Sequence, residues 1–224
     1  TRTSASSVAA GVVACREGRE GPDGRADARV EAAGPVVERP AFDGSRAYEL
    51  VRQQVAFGPR VPGSEGHAAQ LSWMVDLLRG RASIVVVDSF THRTGTGEEL
   101  RLRNVHAVFR PDEPRADERR LLLLAHWDTR PRSDGALTPS EREIPVPGAN
   151  DGGSGTAILL ELSRLLAEQP PPVTVDLLFV DGEDYGPGAA DMYLGSRRFA
   201  RRVSPDFDPA YGVVLDMVGD VDAR

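Results

Sequence analysis

The sequence predicts an α/β protein: a three-layer α/β/α sandwich built around a mixed, mainly parallel sheet. Three observations carry that expectation. Runs rich in Leu, Val and Ile alternate with segments of helical apolar spacing between residues 42 and 216, the order that lays helices over a sheet. Acids follow the apolar runs or a Gly-rich turn, which is where an α/β sheet presents functional side chains at its rim. A chain of 224 residues with no midway linker can bury one substantial core.

The elements follow in order. Tyr48, Val51 and Val55 fall at helical spacing, and after FGPRVPGSEG a second helix carries Leu71, Met74, Val75 and Leu78 on one face before Gly80 ends it. Ser83 to Phe90, Leu102 to Phe109 and Leu121 to His126 read as strands separated by Gly- or Pro-bearing turns, the first two as a hairpin. Leu121 to Ala125 has the continuous apolar character of a central strand. Gly152 to Glu168 is a helix with Ile158, Leu159, Leu162, Leu165 and Leu166 inward, stopped by Pro170 to Pro172. Val173 to Val180 is another buried strand, Leu194 to Val203 a short helix and Tyr211 to Asp216 a last strand. No internal repeat is present.

Folded structure is expected from residue 41 onward, preceded by a tether. Residues 16–40 are rich in Gly, Ala, Pro, Glu and Arg without periodicity, a composition that does not pack a core. Cys15 is the single cysteine, so neither an internal disulfide nor a thiolate metal cage is available. Its setting, SSVAAGVVAC with Arg2 upstream, resembles the end of a bacterial lipoprotein signal whose Cys becomes lipidated; a plain leader is the alternative. The expected location is therefore the bacterial cell envelope, as a periplasmic or surface lipoprotein. Membrane contact is expected only through that anchor.

Composition narrows the partners. Apolar content of 40% and charged content of 27% are ordinary for a globular protein, and no segment is apolar for long enough to span a bilayer as a helix. The net charge of −7, without a basic cluster, argues against nucleic acid. Every basic side chain except His is Arg, which beside abundant Ala, Gly and Pro reflects a G- and C-rich genome more than a function.

Four stretches carry the candidate chemistry. In LLLLAHWDTRP, His126 and Asp128 are two apart at a strand end, so a regular strand would aim both at one object. A His capped by a neighbouring acid is the plain alternative. In PGANDGGSG the glycines let the backbone turn tightly and bring Asp151 to a helix start, where a ligand and an N-cap would look the same. No Lys follows those glycines and an acid precedes them, which counts against a phosphate loop. In LFVDGEDYG, Glu183 and Asp184 come straight out of an apolar strand; one can grip a metal while the other handles protons. Asp216 closes the strand of VVLDMVGD. These acids and one imidazole form a hard, oxygen-rich set suited to zinc. His67, His92 and His106 read as structural or surface residues.

The succession HWDTRP, GANDGGSGTAILLELSRLL, DLLFVDGEDYG, LGSRRFA and LDMVGD resembles the zinc exopeptidase superfamily (metallopeptidase family twenty-eight), which contains co-catalytic aminopeptidases and glutaminyl cyclases. HWD with Trp127, DGED, the loop from Tyr185 to Tyr193 and FGPRVPGSEGH are similar to the cyclase branch. The resemblance implies a phosphorylase/hydrolase-like sandwich over residues 41–224. It implies that Asp151 and Asp184 bind zinc and that Glu183 is the general acid/base. In a cyclase one zinc is bound, Asp216 organises the reacting amide, and His126 and Trp127 line the substrate site. In an aminopeptidase two zincs share Asp151, and His126 and Asp216 hold the second. The implied substrates are peptide or protein N-termini. An inactive, surface-anchored binding module on the same scaffold ranks third. The family's last zinc ligand is a His beyond the LDMVGD strand, and no His follows His126 here. The expectation is a domain incomplete at the C-terminus, weakly active and poorly soluble in isolation; an engineered piece or an inactive descendant would show the same gap.

Overall fold

The computed structural model describes residues 38–113, 119–133, 135 and 138–219. Cys15 and the tether up to residue 37 lie outside the described residues. The described residues from 39 onward belong to one compact unit.

Helix α1 (Gly44–Ala56) starts where the Asp43 carboxylate accepts the amides of Ser45 and Arg46, and α2 (Glu65–Arg79) starts where the Ser64 hydroxyl accepts that of His67. The hairpin expected from residues 83–109 is longer than the apolar runs suggest: β1 (Ile84–Arg93) and β2 (Glu99–Phe109) pair antiparallel along their whole length, because the polar ends of both strands also join the ladder. Strand β3 (Arg120–His126) follows, then the short α3 (Pro139–Arg142), α4 (Gly153–Glu168), β4 (Thr174–Val180), a single 3-10 turn (Ala189–Asp191), α5 (Leu194–Arg202) and β5 (Tyr211–Val214). Residues 129–150 carry no apolar periodicity and run mostly as loop. Thr138, however, starts a capping box with Glu141, and Pro139 fills the first helical position.

The strand order is β1-β2-β4-β3-β5. Pairing is antiparallel on the β1-β2-β4 side and parallel across β4-β3-β5, so the sheet is mixed, with its parallel part confined to the last three strands. Strand β4 is buried along all seven residues and occupies the middle. One face of the sheet packs Val105, Phe109, Leu177 and Phe179 against Met74 and Leu78 of α2 and Leu159 and Leu160 of α4. Each such side chain contributes about 1.5–3 kcal/mol by leaving water. The other face carries α5, whose Phe199 meets His106 of β2 edge-on. There the buried Asp176 accepts bonds from His106 and Arg120, so the two faces give three layers. No helix among the described residues is long and apolar enough to cross a membrane.

Candidate metal centre

Parallel pairing places three chain segments at one rim. In the register, Val180 lies beside His126 and Val214 beside Leu124, which sets the continuation of β5 level with the end of β3. His126, the segment from Asp181 to Asp184 and Asp216 therefore leave the sheet at the same end, the carboxyl ends of parallel strands. His126 Nε2 stands 2.9 Å from an Asp151 oxygen and 3.5 Å from an Asp216 oxygen.

Asp151 reaches this point through a turn only glycine permits. Gly152 has φ +74°, and a Cβ there would come within 2.6 Å of the Asp128 carbonyl and 3.0 Å of the His126 ring. Helix α4 begins at Gly153 with no side-chain cap. The capping alternative for Asp151 is thus not realised, and its carboxylate turns to His126 instead. The Thr156 hydroxyl of the same helix donates to the His126 carbonyl, tying the helix start to the strand end.

The acid pair is fixed from two sides. Amides of Tyr193, Leu194 and Gly195, at the start of α5, donate in turn to the carbonyls of Glu183, Gly182 and Asp181. That close approach accounts for the glycine of LGSRR: a Cβ on Gly195 would lie 2.4–2.6 Å from Asn104 Oδ1 and the Asp181 backbone. From below, the fully buried Asp128 accepts the amides of Glu183 at 3.0 Å and Asp184 at 3.2 Å, one on each carboxylate oxygen.

Burial, helped by the charges of Asp128, Asp216 and Asp184 and opposed by that of His126, pushes the Glu183 carboxyl up to about 7. Burial, then repulsion from Asp151, raises Asp184, although Arg130 binds it at 3.1 Å. Asp151 is held below the usual carboxylate range by its bond to His126, and it is close enough to Asp184 to share a hydrogen bond. Burial works against a charge on His126, but Asp128, Asp151 and Asp216 outweigh it and raise its proton affinity.

Crowded carboxylates of this kind ask for a cation. Two sets, His126 with Asp151 and Asp184, and His126 with Glu183 and Asp216, each bring one ligand atom per residue within 4.8 Å of the others. A mixed nitrogen and oxygen set at that spacing fits zinc. Beside it opens a cavity of about 340 Å³ lined by Thr129, Arg130, Ser133, Val146, Gly148 and Asp151. Two larger hollows, each about 810 Å³, lie away from these acids, so size does not mark the site.

The structure brings together His126, Asp151, Glu183, Asp184 and Asp216. Two expectations need correction. Asp128 does not converge with His126 on an external object: β3 ends at His126, the alternation stops, and the Asp128 carboxylate turns inward to the backbone of the acid pair. Trp127 does not line a substrate site. It is fully buried, its indole N–H bonds the Arg103 carbonyl, and its ring stacks on His67 at 4.3 Å. Arg130, given no role from the sequence, is the cation beside Asp184; its position two residues after Asp128 was the available signal.

A three-layer α/β fold with this rim of acids defines a metal-dependent protein of the zinc exopeptidase type. The sequence profile of peptidase family M28 matches residues 104–223, and the chain belongs to that family. It is 32% identical over 162 residues to a probable zinc metalloprotease of Leptosphaeria maculans, covering 66% of this chain and 36% of the relative. It is 32% identical over 155 residues to a glutaminyl-peptide cyclotransferase-like protein of Bos taurus, covering 63% and 37%. The crystal structure of Bacteroides thetaiotaomicron glutaminyl cyclase bound to N-acetylhistamine superposes with a TM-score of 0.75 at 34% identity, over 83% of this chain and 65% of that one. The chain thus spans a little over a third of those curated relatives and about two thirds of that solved chain.

Proposed function

We propose that this chain carries the site of a zinc-dependent glutaminyl-peptide cyclotransferase, which converts the N-terminal glutamine of peptides to pyroglutamate and releases ammonia. The observation that carries the reading is Glu183: a half-buried carboxyl raised to about 7, next to the metal-binding candidate Asp184. Asp151 and Asp184 would hold the ion, with His126 Nε2 within ligand reach of both. Zinc bound there supplies a Lewis acid for the γ-carbonyl of the substrate glutamine.

The remaining steps belong to the protein. Glu183 takes a proton from the α-amine as that nitrogen bonds to the carbonyl carbon of the side-chain amide, and returns it to the amide nitrogen as that carbon's bond to nitrogen breaks and ammonia leaves. A carboxyl that titrates near neutrality suits both transfers. Asp216, 3.5 Å from His126 Nε2, accepts a hydrogen bond from the departing amide. Nucleophile and electrophile sit in one residue, so the site need only hold a folded side chain and keep water away. The similarity to proteins named as glutaminyl cyclases supports this assignment.

A second reading, a two-metal aminopeptidase, is favoured by the second donor set of His126, Glu183 and Asp216. Incubation with a Gln-initiated peptide and an aminoacyl amide separates the readings. A cyclase releases ammonia from the peptide and leaves its chain intact; a peptidase frees an amino acid; neither product would reject both.

A further inference from the structure

Arg60 is fully buried, which is costly for a cation unless its surroundings are built for it. It comes from the FGPRVPG turn between α1 and α2. Its guanidinium donates to two successive carbonyls, those of Pro147 and Gly148, in the loop that ends at Asp151. Its own carbonyl accepts the amide of Thr129, one residue past the Asp128 that holds the acid pair. Gly148 is left-handed at φ +66°, and a Cβ there would collide with the Thr129 methyl and approach the Arg60 guanidinium to 2.8 Å. Arg60, Thr129 and Gly148 thus pack as one unit directly under the PGANDGG turn.

Burial draws the guanidinium down to about 10, and the charges of Asp128 and Asp151 oppose that shift. The same two carboxylates are therefore stabilised by a cation that never reaches the cleft. One guanidinium nitrogen, Nε, has no hydrogen-bond partner among the described residues. A group placed only for packing would not need to be charged.

We propose that Arg60 is a positioning residue for the metal centre: its two-pronged grip on the Pro147 and Gly148 carbonyls fixes the turn that aims Asp151 at the ion. The inference rests on the zinc reading above. Lys in its place keeps the charge but cannot span two carbonyls in a fixed plane, so charge and fork geometry are separable. Supporting groups of this kind change metal affinity by about 10- to 100-fold.

The test measures zinc affinity of the full chain by competition with a chromophoric chelator at one fixed pH, for wild type, Arg60→Lys, Arg60→Met and the remote core variant Leu78→Ala. Thermal unfolding of the metal-free proteins is measured alongside. The expected result is a loss of about tenfold in Arg60→Lys and more in Arg60→Met, with Leu78→Ala binding zinc as wild type does despite lower stability. Wild-type affinity in Arg60→Lys would overturn the proposal, as would an equal loss in Leu78→Ala. Failure of both Arg60 variants to fold assigns the residue to folding and overturns it too. Absence of zinc binding by wild type would instead reject the metal reading on which it depends.

Discussion

Replacing Asp128 by Asn tests how the acid pair is held. Asp128 is fully buried and receives one backbone amide on each oxygen, from Glu183 and from Asp184. An Asn offers one acceptor and one NH2, so whichever way the amide flips, one buried N–H faces another donor. Losing a charge-assisted bond and leaving a buried donor unpaired costs about 3–6 kcal/mol together. Relief from burying a charge returns part of this, leaving about 2–4 kcal/mol. For a unit of this size that lowers the unfolding midpoint by roughly 6–12 °C. Calorimetry of the metal-free variant reads this loss, and zinc competition reads the displacement of Asp184, which is expected to weaken binding. An unfolding midpoint within a degree of wild type, with unchanged zinc affinity, would show that Asp128 does not carry the backbone of the pair.

Other predictions follow from neighbouring geometry. Gly195→Ala puts a Cβ where Asn104 and the Asp181 backbone already stand, and is expected to destabilise by about 1–3 kcal/mol in urea titration; a stability equal to wild type would remove the steric reading of LGSRR. Glu183→Gln keeps the shape of the cleft but cannot carry a proton, so turnover is expected to fall by about 10²–10⁴-fold with zinc still bound. Full turnover in that variant would end its role as proton carrier. Asp191 is held below the usual carboxylate range by His92 and by the Gly95 amide. A depressed carboxyl contributes stability above its unfolded pKa, about 3.9, and loses it as pH falls through the folded value. The stability gap between wild type and Asp191→Asn should therefore narrow below about pH 4; a gap constant from neutrality to pH 3 would contradict the assignment.

Much of this was legible because the pattern was local. The apolar runs at 121–126 and 173–180 mark buried strands without any tertiary knowledge, and the helix of 152–168 shows its inward face directly. Acids at the ends of those runs could be placed at one rim because parallel strands end together. What escaped was set by partners far away in sequence. Trp127 follows the His of the site and was expected to face substrate, yet β2 and α2 supply its bond and its stacking partner. Asp128 looked outward as long as β3 was assumed to continue past His126. The reach of Arg60 to the loop at 147–148 spans 87 or 88 residues, and no periodicity signals a bond of that separation. The short α3 is different: Thr138, Pro139 and Glu141 state it openly as a capping box.

Anomalous diffraction from crystals soaked in zinc addresses the central claim most directly. A single strong peak about 2.0–2.2 Å from carboxylate oxygens of both Asp151 and Asp184, with the Glu183 carboxylate beside it and unligated, is the expected result. A peak that touches only one of the two aspartates, or zinc bound anywhere else on the molecule, would contradict it.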